Sequence, residues 1–325
     1  MLTALIVPLL VCTQGSQKPF PLKTTTLKRD GAVYTVEGRV RIPRSQTIVS
    51  LRHMKLKGIG PDAVLEVAGK LEMKAVTGGA VTIENVTIEL LPDCKELALT
   101  SATFTGTSGL RSSEEGPNSA KVYLSSTKFR GKAACDLKMS GGRVDLHQSH
   151  SDSPVRIMGV HPSEKNRAKL TVRLLSNNGT ENGRPTGLMG GLFLTGAWDA
   201  SITSCDMAGA HSVIANNRGL LFAANNMRSK LAEFRQDAPK AFARTKIQNS
   251  DFRGPDTLFF APVNPAKPDK LTRIILDGCY FQRRTDSDII RDLLIRDSGR
   301  EPKSGMLVTF KKISERPRNL GGKAE

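Results

Sequence analysis

Apolar residues along this chain recur in one short phrase. An apolar residue is followed two positions later by a small or turn-forming residue, and three positions after that by a second apolar one. Ile202, Ser204 and Met207 make one copy, Phe222, Ala224 and Met227 a second, Ile247, Asn249 and Phe252 a third, and Leu276, Gly278 and Phe281 a fourth. Four more stand earlier: Ile83, Asn85 and Ile88; Leu99, Ser101 and Phe104; Leu124, Ser126 and Phe129; Met139, Gly141 and Val144. Another apolar residue often sits two positions before the first, as at Val81, Leu97, Val122, Leu137 and Leu220. That is the period-two alternation of a strand with one buried face. Gly and Asn tolerate left-handed backbone, and Ser and Asn hydrogen-bond locally. The middle residue therefore predicts a sharp bend, after which the strand resumes on a new heading.

First apolar positions at 83, 99, 124 and 139 are 16, 25 and 15 residues apart, and those at 202, 222, 247 and 276 are 20, 25 and 29 apart. Self-similarity at this period signals a solenoid, and a unit of strand, tight bend and strand with loops of variable length suits a parallel β-helix. A sandwich of hairpins would also give short, regularly spaced strands. It would have no reason to keep the same bend inside every unit. Ile83, Leu99, Leu124, Ile202, Ile247 and Leu276 are the expected inward residues.

Near the start the chain reads Tyr34-Thr35-Val36-Glu37-Gly38-Arg39-Val40-Arg41-Ile42-Pro43, and later Ala63-Val64-Leu65-Glu66-Val67-Ala68-Gly69-Lys70-Leu71-Glu72-Met73. This order of strand, Gly, strand and Pro-containing turn resembles the first rungs of secreted right-handed parallel β-helix proteins of the pectate-lyase-like superfamily. The resemblance covers about residues 33–282 and implies an all-β, right-handed parallel β-helix solenoid. It leaves activity open, because the superfamily includes lyases, glycoside hydrolases, esterases, adhesins and proteins of no known activity. The galacturonase-type set of Asn-Thr-Asp, Asp-Asp, Gly-His-Gly and Arg-Ile-Lys is absent, since in Gly209-Ala210-His211-Ser212 the histidine has no flanking glycine. The lyase-type Arg-x-Pro-x-x-Arg fails as well, because Gln46 stands where Arg41 and Pro43 require an arginine.

The flanks read differently. Residues 2–12 are an uncharged apolar run, too short to span a bilayer and of the length of a secretory core, with small residues after it. Residues 1–15 are thus expected to be a signal peptide and 16–32 a linker, with no transmembrane segment in the mature chain and a secreted, periplasmic or cell-surface location. Past the repeats, Ile289, Ile290, Leu293 and Leu294 are spaced for one helix face behind an acidic start. The exposed last rung of a solenoid must be covered, so a capping helix near residues 286–296 is expected within 283–325, followed by a strand over 306–310 and a basic tail.

Composition changes the picture in one respect. With 48 Lys and Arg against 31 Asp and Glu the formal charge is +17. That favours polyanionic partners, acidic polysaccharide or another cell-envelope polyanion. The basic residues are dispersed without a long run, so nucleic acid is an unlikely partner. None of the five cysteines forms a CxxC pair. Cys205 and Cys279 hold the same place in the phrase several rungs apart, which predicts buried thiols rather than a disulfide.

Candidate chemistry lies at three places. Aligning the copies puts Asp206, Asn226 and Asp251 at one outward position of three consecutive rungs, with Ala208, Arg228 and Arg253 two residues on. Such oxygens can hold calcium as a cofactor, and the arginines can bind an acidic sugar. The resemblance adds interest, since superfamily lyases use calcium-bound carboxylates with a Lys or Arg base. The alternative to a binding protein is therefore a carbohydrate-active enzyme, a polysaccharide lyase or glycoside hydrolase, at this face. Asp145, His147, His150 and Asp152 gather groups that bind transition metals, provided a bend brings His150 back. Asp199 beside Trp198, the only tryptophan, and His211 complete the set.

Overall fold

The computed structural model of the protein describes residues 28–30, 33–42, 53–74, 79–159, 167–173, 175–177, 180–181, 184–185, 192–209, 211–235, 244–254, 256–260, 272–282, 306–314 and 316–317. The signal peptide, the capping helix and most of the basic tail expected from the sequence lie outside them. The described chain is a parallel β-helix with up to three strands per turn, in two long parallel sheets. A typical rung runs through Glu96–Thr100, Ala102–Thr105 and Gly109–Ser112, and the next through Lys121–Ser125, Lys128–Phe129 and Ala134–Met139. Each strand pairs in parallel with its counterpart one rung away, which gives the solenoid three faces. The second and third faces are joined at the amino end by Met54–Val67, which bends through the corner to pair with Val81–Glu84 and then Thr87–Leu90. Thr272–Phe281 bends in the same way between the first and second faces. Met306–Ile313 adds a last strand beyond it, longer than the sequence suggests.

The phrase is a corner, and its middle residue is the hinge. Asn85, Ser101, Ser126, Ser204, Ala224, Asn249 and Gly278 all have φ between 49° and 64°. A left-handed residue interrupts the alternation, so Ser204 is followed by Cys205 facing in, Asp206 facing out and Met207 facing in. For a non-glycine residue that conformation costs about 1–3 kcal/mol. Hydrogen bonds between rungs at the same corner offset it. Cys205 N–H donates to Asn225 Oδ1 at 2.9 Å, Asn225 Nδ2 donates to Ile202 C=O at 2.9 Å, and Asn225 N–H donates to Ser250 Oγ at 3.2 Å.

The copies do not all mark one corner. Leu99, Leu124, Ile202, Phe222, Ile247 and Leu276 end first-face strands, and their ladder runs continuously from Met73 through Leu146 and Val172. Ile83 belongs to the second face, in register with Phe104. Met139 closes a third-face strand, and the bend falls at Gly142, where a Cβ would meet Ala120 O at 2.3 Å. Leu146 ends a first-face strand as well, but its hinge is Gln148, at φ 47°, not one of the small or turn-forming residues that mark the phrase.

Inside, equivalent residues stack along the axis. Ile83, Leu99, Leu124, Ile202, Ile247 and Leu276 are all fully buried. On the second face Phe104 stacks on Phe129 at 4.7 Å and Phe252 on Phe281 at 4.9 Å. Stacked rings bury large apolar areas and gain about 0.5–1.5 kcal/mol per pair beyond that burial. Cys205 and Cys279 share one corner ladder with Asn225 and Ser250 between them, both buried and reduced. Among the described residues no helix is long and apolar enough to cross a membrane.

Candidate functional site

The second face is the narrowest, only two residues wide in several rungs, so few side chains point outward from it. One ladder of Cα partners runs Lys128, His150, Ser176, Asp206, Asn226, Asp251 and Tyr280. The expected alignment of Asp206, Asn226 and Asp251 is thus present, at about the 4.8 Å spacing of neighbouring strands. Arg228 reaches back one rung to Asp206, with Nε 2.8 Å from Oδ1 and Nη2 2.7 Å from Oδ2. Asn226 Nδ2 donates to the same Oδ1 at 3.0 Å. Arg253 pairs with Asp251 of its own rung, Nη2 to Oδ2 at 3.0 Å, and the Asp251 carboxylate is wholly buried. Ala208 contributes no polar group. Both arginines of the face are therefore matched to carboxylates, while Asn226 Oδ1 between them is buried with no hydrogen-bond partner among the described residues.

The His and Asp cluster is divided by the bend at Gln148. Asp145 and His147 stay on the first face, where Asp145 accepts from Arg143 Nε at 2.8 Å. His150 and Asp152 lie past the corner, with Nε2 2.6 Å from Oδ1, while Asp152 Oδ2 accepts the Gly131 N–H at 3.0 Å. Two separate pairs result. Among the described residues no group of three or more His, Cys, Asp or Glu side chains is placed to hold a metal ion. His211 lies on the third face, Nε2 3.2 Å from Glu233 Oε1 and edge-on to Phe193 at 5.7 Å. Trp198 is half-buried beside exposed Asp199, and its ring is occupied, with Arg218 Cζ 3.7 Å and Arg167 Cζ 4.9 Å from its centroid. No bare aromatic platform for a sugar is left there.

Thiol nucleophiles are disfavoured. Burial pushes Cys94 up to about 12, and burial, reinforced by neighbouring Asp136, does the same to Cys135. A protonated, enclosed thiol is chemically inert.

The first face holds a group that the sequence does not advertise. Lys121, Arg143 and Lys169 are Cα partners on three consecutive rungs, and all three are exposed. Exposed Arg173 lies in register with His147 at the far end of the same strands, and Tyr123, 44% exposed, lies beside Asp145 in the middle. Among the described residues Lys121, Lys169 and Arg173 have no carboxylate partner; Arg143 has Asp145. The column is bounded by Glu96 on one side and Asp199 on the other. The signal was present: each cation stands three residues before the corner residue Leu124, Leu146 or Val172. It is readable only once Leu146 and Val172 are recognised as corners.

Comparison with family models, curated proteins and solved structures finds no match to this chain.

Proposed function

We propose that this is a secreted β-helix protein that binds an acidic polysaccharide or another cell-envelope polyanion along its first face. The observation that carries the reading is the column of Lys121, Arg143 and Lys169, three exposed cations in register, with Arg173 at the far end of the same strands. Cations repeated at about 4.8 Å along a rigid sheet suit a polymer carrying one negative charge per residue, lying along the solenoid axis. A rigid array spends little entropy on ordering itself at binding. The surplus charge of +17 adds long-range attraction. Kinship with the right-handed β-helix proteins of the pectate-lyase-like superfamily is supported by the short-stranded turns and by the preference of parallel crossovers for the right hand. Export is supported by the apolar run at residues 2–12.

The test is binding of polygalacturonate, alginate and a neutral glucan to the protein and to a variant carrying Lys121→Ala, Lys169→Ala and Arg173→Ala. At about 0.5 kcal/mol for each exposed charge contact, the variant loses about tenfold in affinity for the acidic polymers. Salt-insensitive binding to the glucan, or an unchanged triple variant, would overturn the reading. The enzymatic alternative, a lyase or hydrolase at Asp206, Asn226, Asp251, Arg228 and Arg253, is weakened by the pairing of its carboxylates with arginine. Turnover of an acidic glycan that disappears in Asp251→Ala would reinstate it.

A further inference from the structure

Tyr123 is the one exposed aromatic side chain among the described residues, 44% accessible on the outer side of the first face. It is also bare. Trp198 meets Arg167 and Arg218, and Phe193 meets Arg156 and His211, whereas no described ring or guanidinium lies against Tyr123. Its strand, Lys121–Ser125, buries Val122 and Leu124, so alternation puts Lys121, Tyr123 and Ser125 on the outer side. Pairing with the neighbouring rungs extends this into three columns. The first holds Glu96, Lys121 and Arg143, the middle Ala98, Tyr123 and Asp145, and the third Thr100, Ser125 and His147. Glu96 is taken up by Lys70 at 3.1 Å and Asp145 by Arg143 at 2.8 Å, while Ala98 is too small to cover the tyrosine ring. Thr100, Ser125 and His147 are half-buried, and none of their side chains has a hydrogen-bond partner among the described residues. An aromatic platform thus lies between a cationic column and a column of unengaged hydroxyl and imidazole groups.

We propose that Tyr123 is a stacking subsite for one pyranose residue of an acidic polysaccharide. A pyranose carries C–H bonds on its ring faces and hydroxyls around its rim, and the negative π face of an aromatic ring attracts those C–H groups. In a uronic acid residue the C5 carboxylate and the C2 and C3 hydroxyls leave opposite edges of the ring. Over Tyr123 the carboxylate meets the column of Lys121 and Arg143, and the hydroxyls meet that of Thr100, Ser125 and His147. Alternate residues of a strand are about 6.6 Å apart, so the two flanking columns bracket one ring. The inference rests on the polyanion reading and narrows it. Cations alone accept any negative polymer, whereas the platform selects one with sugar rings. Single-stranded nucleic acid also stacks, but on successive aromatic side chains. The middle column continues through Thr171 and Ser201 with no second aromatic ring.

Binding of polygalacturonate, polyphosphate and a single-stranded oligonucleotide is measured by calorimetry for the protein, for Tyr123→Ala, for Tyr123→Phe and for the Lys121, Lys169 and Arg173 triple variant. The ring lies outside the core, so neither substitution at Tyr123 disturbs folding. The expected result is about tenfold weaker polygalacturonate binding in Tyr123→Ala, recovery to within about twofold in Tyr123→Phe, and polyphosphate binding that both retain. Equal loss for polyphosphate and polygalacturonate in Tyr123→Ala overturns the subsite, since stacking adds nothing to a chain without rings. A larger loss for the oligonucleotide than for polygalacturonate overturns it in favour of a nucleic acid. Polygalacturonate binding that is unchanged in Tyr123→Ala but weakened in the triple variant removes the platform and leaves the charge reading standing. A protein that binds neither polygalacturonate nor polyphosphate removes both.

Discussion

Arg228 holds Asp206 through both carboxylate oxygens from one rung further along the solenoid, at 2.8 and 2.7 Å. The geometry is bidentate, but the guanidinium side chain is 41% exposed, so solvent screening leaves the pair worth about 1 kcal/mol or less. Arg228→Ala is therefore expected to lower unfolding free energy by no more than about that amount in urea titrations. Its affinity for acidic polymer should stay within about twofold, since the pair presents little net charge. A larger loss of binding in Arg228→Ala than in Lys121→Ala would return the second face to the centre of the function.

Salt should govern any polymer affinity. The exposed cations of the first face act through water, where the screening length falls to about 8 Å at physiological ionic strength. Retention of polygalacturonate in affinity electrophoresis is expected to decline markedly between low and physiological salt. The triple variant should show a shallower salt dependence than the parent, because fewer counterions are released.

Asn225 tests the corner ladder. Its buried amide joins three rungs, accepting from Cys205 N–H and donating to Ile202 C=O while its own N–H meets Ser250 Oγ. Asn225→Ala leaves one buried donor and one buried acceptor unpaired, each at about 1–3 kcal/mol. A destabilisation of about 3 kcal/mol is expected in thermal or denaturant unfolding. Asn225→Ser should recover part of it, since Ser149 and Ser250 serve equivalent corners.

Alkaline pH should loosen the fold. With both thiols held up to about 12, the folded chain keeps protons that the unfolded chain gives up near 8.5. Proton binding is then greater in the folded state, so stability is full below about pH 8.5 and falls as pH rises toward 12. Replacing Cys94 and Cys135 with Ala should flatten that decline in urea midpoints measured across pH 8–11. Iodoacetamide should label neither residue in the folded protein at pH 8, and rapid labelling of either would contradict its enclosure.

The periodic phrase determined a great deal. Parallel strands, left-handed corner residues and the six inward apolar positions are all local consequences of apolar spacing interrupted by Asn, Ser or Gly. They are legible because every rung must solve the same packing problem with its own few residues. The alignment of Asp206, Asn226 and Asp251 followed from the same register. Which cations remain available did not. Whether Arg228 faces solvent or Asp206, whether Trp198 is open or covered by Arg167 and Arg218, and whether His150 rejoins His147 across the Gln148 bend depend on side chains brought together from residues 20 or more positions apart, or on one unobtrusive hinge. The corners at Leu146 and Val172, and with them the Lys121, Arg143 and Lys169 column, became visible only when strands were paired. Backbone pairing between rungs, not the local phrase, fixes which outward residues become neighbours.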